Sequence, residues 1–503
     1  MSGIFKWIAA VNDKVNGVVW GPPMLALLLF AGIYFTVRTG FFQVTHFGYV
    51  MKKTILAIFR DKKVVKTEDK SNISQFQALA TALAATIGTG NIVGVATAIA
   101  AGGAGAVFWM WFSAFFGMMT NYAENVLGIF YRKKNQKGEY IGGPMIYIEK
   151  GLGWKWLSVI FSIFCLVASF GIGNIAQING ISTSIQNTFH TSGHAFEGMF
   201  VSLGLSAEKA AEVAAMVPGF IIGVLIAIVV GVVILGGIKR IASVTEKLVP
   251  FMAAFYIIGS LIVIICNAKH IPAAFGEIFS QAFSFKSAGA GVMGYVIAQA
   301  IRYGVARGVF SNEAGLGSSV MVHSNSDVKE PVVQGIWGIF EVFFDTIAVC
   351  TVTALAILTT GAHRQGLEGV NITTYAFQSV LGPVGGYIIT FGILLFAFST
   401  ILGWSIYGTR AVQYLFKDSP LAVRIYKIIF TLVIIVGAVS SVQLVWDLSD
   451  TFNGLMALPN LIGILLLSPV VIKITKNYTD RHFHGHDITP LHSHHQDDPD
   501  YQG

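Results

Sequence analysis

Hydropathy along the chain falls into eleven apolar runs separated by shorter polar stretches: 18–37, 79–101, 106–131, 157–178, 217–235, 248–267, 291–318, 332–359, 384–408, 425–445 and 455–474. Each is close to the ~20 residues a helix needs to cross a bilayer, so the pattern predicts eleven membrane spans. Glycines punctuate spans 2, 7 and 9. In span 2 the run Thr86-Ile87-Gly88-Thr89-Gly90-Asn91-Ile92-Val93-Gly94 sets three glycines and a polar cluster in mid-membrane. In span 7 the run Arg307-Gly308-Val309-Phe310-Ser311-Asn312-Glu313-Ala314-Gly315-Leu316-Gly317 does the same. Lipid offers a loosened backbone no hydrogen-bond partner, so such breaks survive only inside protein or against a wet cavity. Secondary transporters build midplane binding sites from interrupted helices of this kind.

Composition supports the membrane reading. The chain is 54% hydrophobic and only 12% charged, against roughly 25% charged in a soluble domain. The formal net charge of +7 follows from where the basic residues lie. With eleven spans, 25 of the 33 Lys and Arg fall on the side of the C-terminus and 6 on the other, while Arg302 and Arg307 lie inside span 7. That asymmetry predicts a multi-pass protein of the cytoplasmic (inner) membrane, N-terminus outside and C-terminus in the cytoplasm. No basic domain with interleaved aromatics is visible, so no nucleic-acid partner is expected. Residues 1–17 are too polar for a cleavable signal. Residues 41–60 read as an amphipathic helix on the cytoplasmic surface, and 208–215 as a short helix in a long outer loop. Cys165, Cys266 and Cys350 fit neither a zinc nor a redox spacing.

Setting span 1 aside leaves spans 2–6 and 7–11. Each group opens with a glycine-rich break carrying an asparagine, Asn91 or Asn312. Five is odd, so the two groups insert with opposite topology, as in an inverted repeat; close helix packing at small residues is the alternative. The division expected is 1–78 for the first span and amphipathic segment, 79–267 and 268–474 for the two repeats, and 475–503 for a cytoplasmic tail. The fold class is all-α and polytopic, with helices 2 and 7 discontinuous.

Polar groups inside the membrane are costly and mark function by default. At the first break, Thr89 and Asn91 are candidates; a half-helix N-terminus suits a carboxylate, and the preceding carbonyls suit a cation. Asn91 can equally satisfy freed backbone groups. Asn121, Glu124 and Asn125 share a face of span 3, as do Gln299, Arg302 and Tyr303 of span 7. Buried arginines seek carboxylates, so Arg302 or Arg307 is expected to pair with Glu124, Glu313, Glu341 or Asp345. Asn174, Gln177 and Asn179 cluster late in span 4. In span 9, Ser399 and Thr400 offer hydroxyl oxygens of the type hard cations prefer, and Trp404 can wall an apolar pocket or serve as packing or an interfacial anchor. The tail holds His482, His484, His486, His492, His494 and His495, read as a solvated, disordered segment rather than a metal site. No nucleophile–base arrangement, phosphate loop or zinc motif appears, so the chain is not expected to be an enzyme or to need a cofactor.

On Gly88-Thr89-Gly90-Asn91-Ile92-Val93-Gly94-Val95, Gly142-Gly143-Pro144-Met145, Gly171-Ile172-Gly173-Asn174-Ile175-Ala176-Gln177 and Ser311-Asn312-Glu313-Ala314-Gly315-Leu316-Gly317, the chain resembles the alanine or glycine:cation symporter family, also called the sodium:alanine symporters. The resemblance covers all but the histidine tail. It implies the amino acid–polyamine–cation superfamily fold, five plus five inverted helices (leucine-transporter-like) with an extra N-terminal span. It also implies cotransport of a small neutral amino acid, alanine or glycine, with sodium. The amino acid site would then comprise Thr89, Gly90, Asn91, Gln177, Phe310, Ser311, Asn312, Thr400 and Trp404. Sodium would be held by Gly88, Thr89, Ser399 and Thr400. Another small amino acid, or proton coupling, is the near alternative; a passive channel is the remote one.

Overall fold

In a computed structural model, the structure describes residues 3–69, 71–191, 193–283, 290–440 and 443–493. Among them the fold is helical throughout, save a two-residue antiparallel ladder pairing Lys133–Lys134 with Tyr140–Ile141. Seven helices are long and apolar enough to cross a membrane, or nine if each of two sharply bent pairs counts as one. The third and seventh predicted segments are also helical, Gly105–Tyr131 and Ala290–Asn312. Their polar residues leave them outside the nine.

Helix boundaries follow local chemistry. Span 2 starts at a capping box: Gln77 N–H donates to Ser74 Oγ and Ser74 N–H to Gln77 Oε1, each at 3.1 Å. Proline occupies the first turn of Pro22–Arg38, Pro331–Val342, Pro383–Leu415 and Pro420–Val439, where its missing N–H costs no intrahelical bond. Span 3 forms the central post, packed against spans 7 and 8 along much of its length. Gly32 of span 1 lies so close to it that a Cβ there would fall 2.7 Å from the Phe116 carbonyl oxygen. One large apolar cluster unites spans 1, 3, 4, 9, 10 and 11, and a second fills the space among spans 2, 6, 8 and 9.

Span 2 is broken as expected: Gln75–Thr86 and the run to Gly102 are bent by 51°. Span 7 is different. Its helix runs unbroken to Asn312, and the break follows, with left-handed backbone at Glu313 (φ 56°), Gly315 (φ 94°) and Gly317 (φ 71°). Span 9 is one continuous helix despite its glycines, Pro383–Leu415; their small size serves packing rather than a break. The unforeseen break lies in span 11, bent by 58° at Leu467, just before a Ser468-Pro469 helix start. Among the described residues three π-helical turns appear, Gly90–Gly94, Gly171–Ile175 and Phe343–Cys350.

Three further expectations are corrected. Residues 41–60 form three short helices, Phe42–Thr45, Phe47–Lys53 and Ile55–Arg60, because the backbone leaves helical geometry at His46 and again at Thr54. Residues 208–215 are the first turns of the long helix Ala207–Leu235. The tail is solvated, with residues 484–490 an exposed coil, but it is held at both ends rather than disordered through residue 493. Helix Ser468–His482 extends into it, Arg481 pairs with Glu330 at 2.6 Å, and the Ser493 N–H donates to the Lys329 carbonyl at 3.0 Å. His494 and His495 lie outside the described residues.

Candidate functional site

The break in span 2 exposes backbone groups at 87–89, and side chains from four other helices close around them. Asn91 turns back on its own break, its Oδ1 accepting the Gly88 N–H at 3.0 Å. Its Nδ2 donates to Asp345 Oδ1 at 2.7 Å. Gln177 bridges two irregular turns: its Oε1 accepts from Thr89 Oγ1 at 3.2 Å, and its Nε2 donates to the Ile172 carbonyl at 3.0 Å. Thr400 of span 9 donates to the Ile87 carbonyl at 3.4 Å and to its own helix at Phe396 at 2.9 Å. A Cβ on Gly88 would sit 2.6 Å from Thr400 Oγ1, so only glycine leaves this approach free.

On the span 7 side, Phe310 and Ser311 face the first break; a Cβ on Gly90 would lie 3.3 Å from Phe310 Cδ1 and 3.5 Å from Ser311 Cα. Ser311 Oγ donates to Asp345 Oδ2 at 2.8 Å. Asn312 is turned toward its own break and span 8, accepting the Ala314 N–H and donating to Thr346 Oγ1, both at 3.0 Å.

A cavity of about 280 Å³ opens beside these elements. Thr89, Gly90 and Thr97 of span 2, Thr183 of span 4, and Arg307 and Phe310 of span 7 line it. Thus the structure brings Gly88, Thr89, Gly90, Asn91, Gln177, Phe310, Ser311 and Thr400 together, with Thr89, Gly90 and Phe310 on the cavity wall. Three expected members stand apart: Asn312, turned to Thr346 and its own break, Ser399 and Trp404. Ser399 Oγ turns to the Phe396 carbonyl at 2.8 Å and Met252 Sδ at 3.3 Å. Trp404 packs on Gly173 and edge-on to Tyr407, with ring centroids 5.2 Å apart, and is not among the cavity-lining residues.

Asp345 is the group that sequence reasoning missed. It is fully buried in the π turn of span 8 and accepts from Asn91, Ser311 and Thr346 at 2.7–2.8 Å. It therefore ties both breaks to span 8. An aspartate in an apolar run is the available signal, and the sequence offers it only as one of four carboxylates for Arg302 or Arg307. The expected arginine pairs do not form as supposed. Arg307 lies 3.9 Å from Asp450 of span 11 and over the Phe310 ring at 5.4 Å, while Arg302 lies over Tyr303 at 5.8 Å. Glu124 is held by Asn460 at 2.6 Å, Glu313 by Ser318 at 2.5 Å and Glu341 by His323 at 2.9 Å. The reason is reach. Arg307 lines the cavity and is partly exposed beside Asp450, which is also held by Asn16 of the N-terminal helix at 3.2 Å, whereas the four expected carboxylates are fully or almost fully buried.

A sequence profile of the Sodium:alanine symporter family matches residues 5–491. The chain is 44% identical to the Sodium/alanine symporter AgcS of Methanococcus maripaludis, over 94% of this chain and 98% of that protein. It is 37% identical to a Bacillus subtilis protein named "Probable sodium/glutamine symporter GlnT", over 92% and 89%. Among solved structures, MhsT in complex with L-phenylalanine superposes with a TM-score of 0.54 at 16% identity, covering 81% of this chain and 99% of that one. That likeness speaks to the fold alone.

Proposed function

Because the chain belongs to the sodium:alanine symporter family, and so is a transporter rather than an enzyme, we propose that it imports a small neutral amino acid together with sodium by alternating access. The observation that carries this reading is the cavity at the broken span 2, walled by Thr89, Gly90 and Phe310. Eleven spans, two inverted five-helix groups and an N-terminus outside complete the proposal. In that orientation the cavity lies on the outer side of the break.

Sodium is taken up first, by the carbonyls at 87–88 and the hydroxyls of Thr89 and Thr400, with Ser399 joining after a change of rotamer. The amino acid carboxylate then meets the N–H groups at the start of the outer half-helix of span 2. Asn91 and Gln177 hold that half-helix in place, since both ends of each amide are already engaged. The ammonium faces the end of the span 7 helix at Ser311 and Asn312, where carbonyls are free of intrahelical partners. Phe310 limits side-chain size. Trp404 acts from behind, by fixing Gly173 and the turn that precedes Gln177. At −100 mV the potential contributes ~2.3 kcal/mol per sodium. Coupling requires each solute to strengthen the other's binding equally.

The test is uptake of labelled alanine into proteoliposomes under an inward sodium gradient. Accumulation that glycine competes away supports the proposal; accumulation driven only by a proton gradient, or none in folded protein, refutes the sodium or the substrate assignment respectively. Thr400→Val is expected to raise the half-saturating sodium concentration by roughly tenfold, the equivalent of one lost oxygen ligand at ~1.4 kcal/mol.

A further inference from the structure

Beyond the break of span 7 lies a polar cluster that the transport reading leaves unused. His323 ends the short helix Val320–His323, and Glu341 lies on Pro331–Val342; both are fully buried. His323 Nε2 stands 2.9 Å from Glu341 Oε2, and His323 Nδ1 stands 2.6 Å from Gln334 Nε2. The other end of that amide, Gln334 Oε1, accepts from Ser326 Oγ at 2.8 Å. Asn121 Nδ2 adds a weaker bond to Glu341 Oε2 at 3.4 Å. Among the described residues, Glu341 Oε1 has no hydrogen-bond partner.

This chain of side chains can be filled in two complete ways. In the first, Ser326 donates to Gln334 Oε1, and Gln334 N–H donates to a bare His323 Nδ1. The imidazole proton then sits on Nε2 and points at Glu341. In the second, the Gln334 amide is turned over. Its oxygen accepts an Nδ1–H, its NH2 donates to Ser326 Oγ, and Nε2–H still points at Glu341. A neutral imidazole carries one N–H and a charged one carries two, so the second pattern holds one proton more than the first. The amide orientation, with Gln334 Nε2 toward Nδ1 and Oε1 toward Ser326, corresponds to the first. No atom need move far to reach the second, but the Ser326 hydroxyl loses its acceptor.

We propose that His323, Glu341 and Gln334 form a proton-binding site whose occupancy is read at Ser326. The connection from there is short. Ser326 bridges to Ile73 at the entrance to span 2; Asp327 N–H donates to the Ile73 carbonyl at 2.9 Å, and Ile73 N–H to the Asn325 carbonyl at 3.3 Å. Arg132, at the end of span 3, donates to the carbonyls of Ser324 at 3.2 Å, Ser326 at 2.6 Å and Val328. The segment 324–328 thus ties span 2 to span 3 at the end away from the cavity. Adding a proton disturbs the side chain at the centre of that tie. The charged and titratable groups facing the site are Glu124 of span 3, Glu313 at the break of span 7, Asp345 of span 8 and Tyr407 of span 9, each close enough to interact with Glu341 or with one another. Arg132 is the basic group bonded to the segment.

The test is hydrogen–deuterium exchange of the full chain in detergent micelles between about pH 5 and 8, the range in which histidine titrates. Rates are normalised to the chemical pH dependence of amide exchange. Residues 71–76 and 324–330 are expected to lose protection on acidification, by about tenfold across a one-proton step. His323→Gln is expected to flatten that step. Gln334→Glu presents an oxygen to Nδ1 permanently and is expected to move the step to higher pH by about one unit. A wild type without the step, or a step that His323→Gln leaves in place, overturns the proposal. Should His323→Gln fail to fold, Gln334→Glu decides: an unmoved step overturns it. The measurement needs no substrate, so its outcome is independent of the uptake experiment.

Discussion

Asn91 shows how one side chain can hold a broken helix together. Its amide satisfies the Gly88 N–H on one side and the buried Asp345 carboxylate on the other. Removing it leaves a backbone donor and part of a buried carboxylate without partners, at about 1–3 kcal/mol each. Asn91→Ala is therefore expected both to lower the unfolding midpoint and to cut uptake by at least about tenfold, a change of ~1.4 kcal/mol at the transition state. Thermal unfolding in detergent and initial uptake rates check the two halves; loss of uptake with unchanged stability would make Asn91 a pure ligand instead. At this scale the sequence disclosed residue types but not their partners. Asn91, Gln177 and Thr400 stood out because amides and hydroxyls are rare in mid-membrane. None of the four carboxylates the sequence offers to Arg307 is its neighbour, because pairing depends on direction across helices 143 positions apart in the chain, Arg307 to Asp450, which no local pattern records. Ser399, adjacent to Thr400, was grouped with it; one residue along a helix is about 100° of rotation, and that turns its hydroxyl to Met252.

The helices themselves were far more legible, since apolar runs of span length admit few other solutions in a membrane. Their internal irregularities were not, because a hydropathy window averages over one displaced residue. The π turn at Gly171–Ile175 is an example. Gly173 there lies against Trp404 of span 9, so close that a Cβ would overlap the indole root, and Gln177 follows in the first turn of the next helix, Ala176–Phe189. Gly173→Ala is expected to destabilise the fold by the 1–3 kcal/mol typical of overpacking, or about that, and to weaken substrate affinity through Gln177. Gly276→Ala, on an open helix face with no atom within 4 Å of the added Cβ, is the matched control and is expected to leave both unchanged. Equal effects of the two would dissociate the Trp404 contact from the site. Some breaks did carry a readable signal: Ser468-Pro469 announces a helix start within what was read as a single span.

At the level of the whole molecule, orientation is the property on which every functional statement depends, and the chain carries its own reporter. Of its three cysteines, Cys165 and Cys350 are buried and Cys266 is exposed, at the end of helix Gly237–Cys266. In the orientation proposed from the basic-residue asymmetry, that end faces outside. A membrane-impermeant maleimide applied to intact cells is expected to label the wild type and to leave Cys266→Ser unlabelled. Labelling that appears only after permeabilisation would invert the topology and move the cavity to the cytoplasmic side. The same asymmetry was visible in the sequence because charge counts survive errors of a few residues in each boundary.

The π-helical turns in spans 2, 4 and 8 have a consequence for how this chain is set beside its relatives. A π turn accommodates one more residue than the α-helical turn it replaces. A relative lacking one of them matches this chain only if a single-position gap is opened inside an uninterrupted apolar run, where alignment methods resist placing gaps. Without that gap, every position beyond it is rotated by about 100° in the comparison, and a wall residue of one protein is equated with a lipid-facing residue of the other. Inherited function in such helices is better traced by the neighbours each residue touches than by its column.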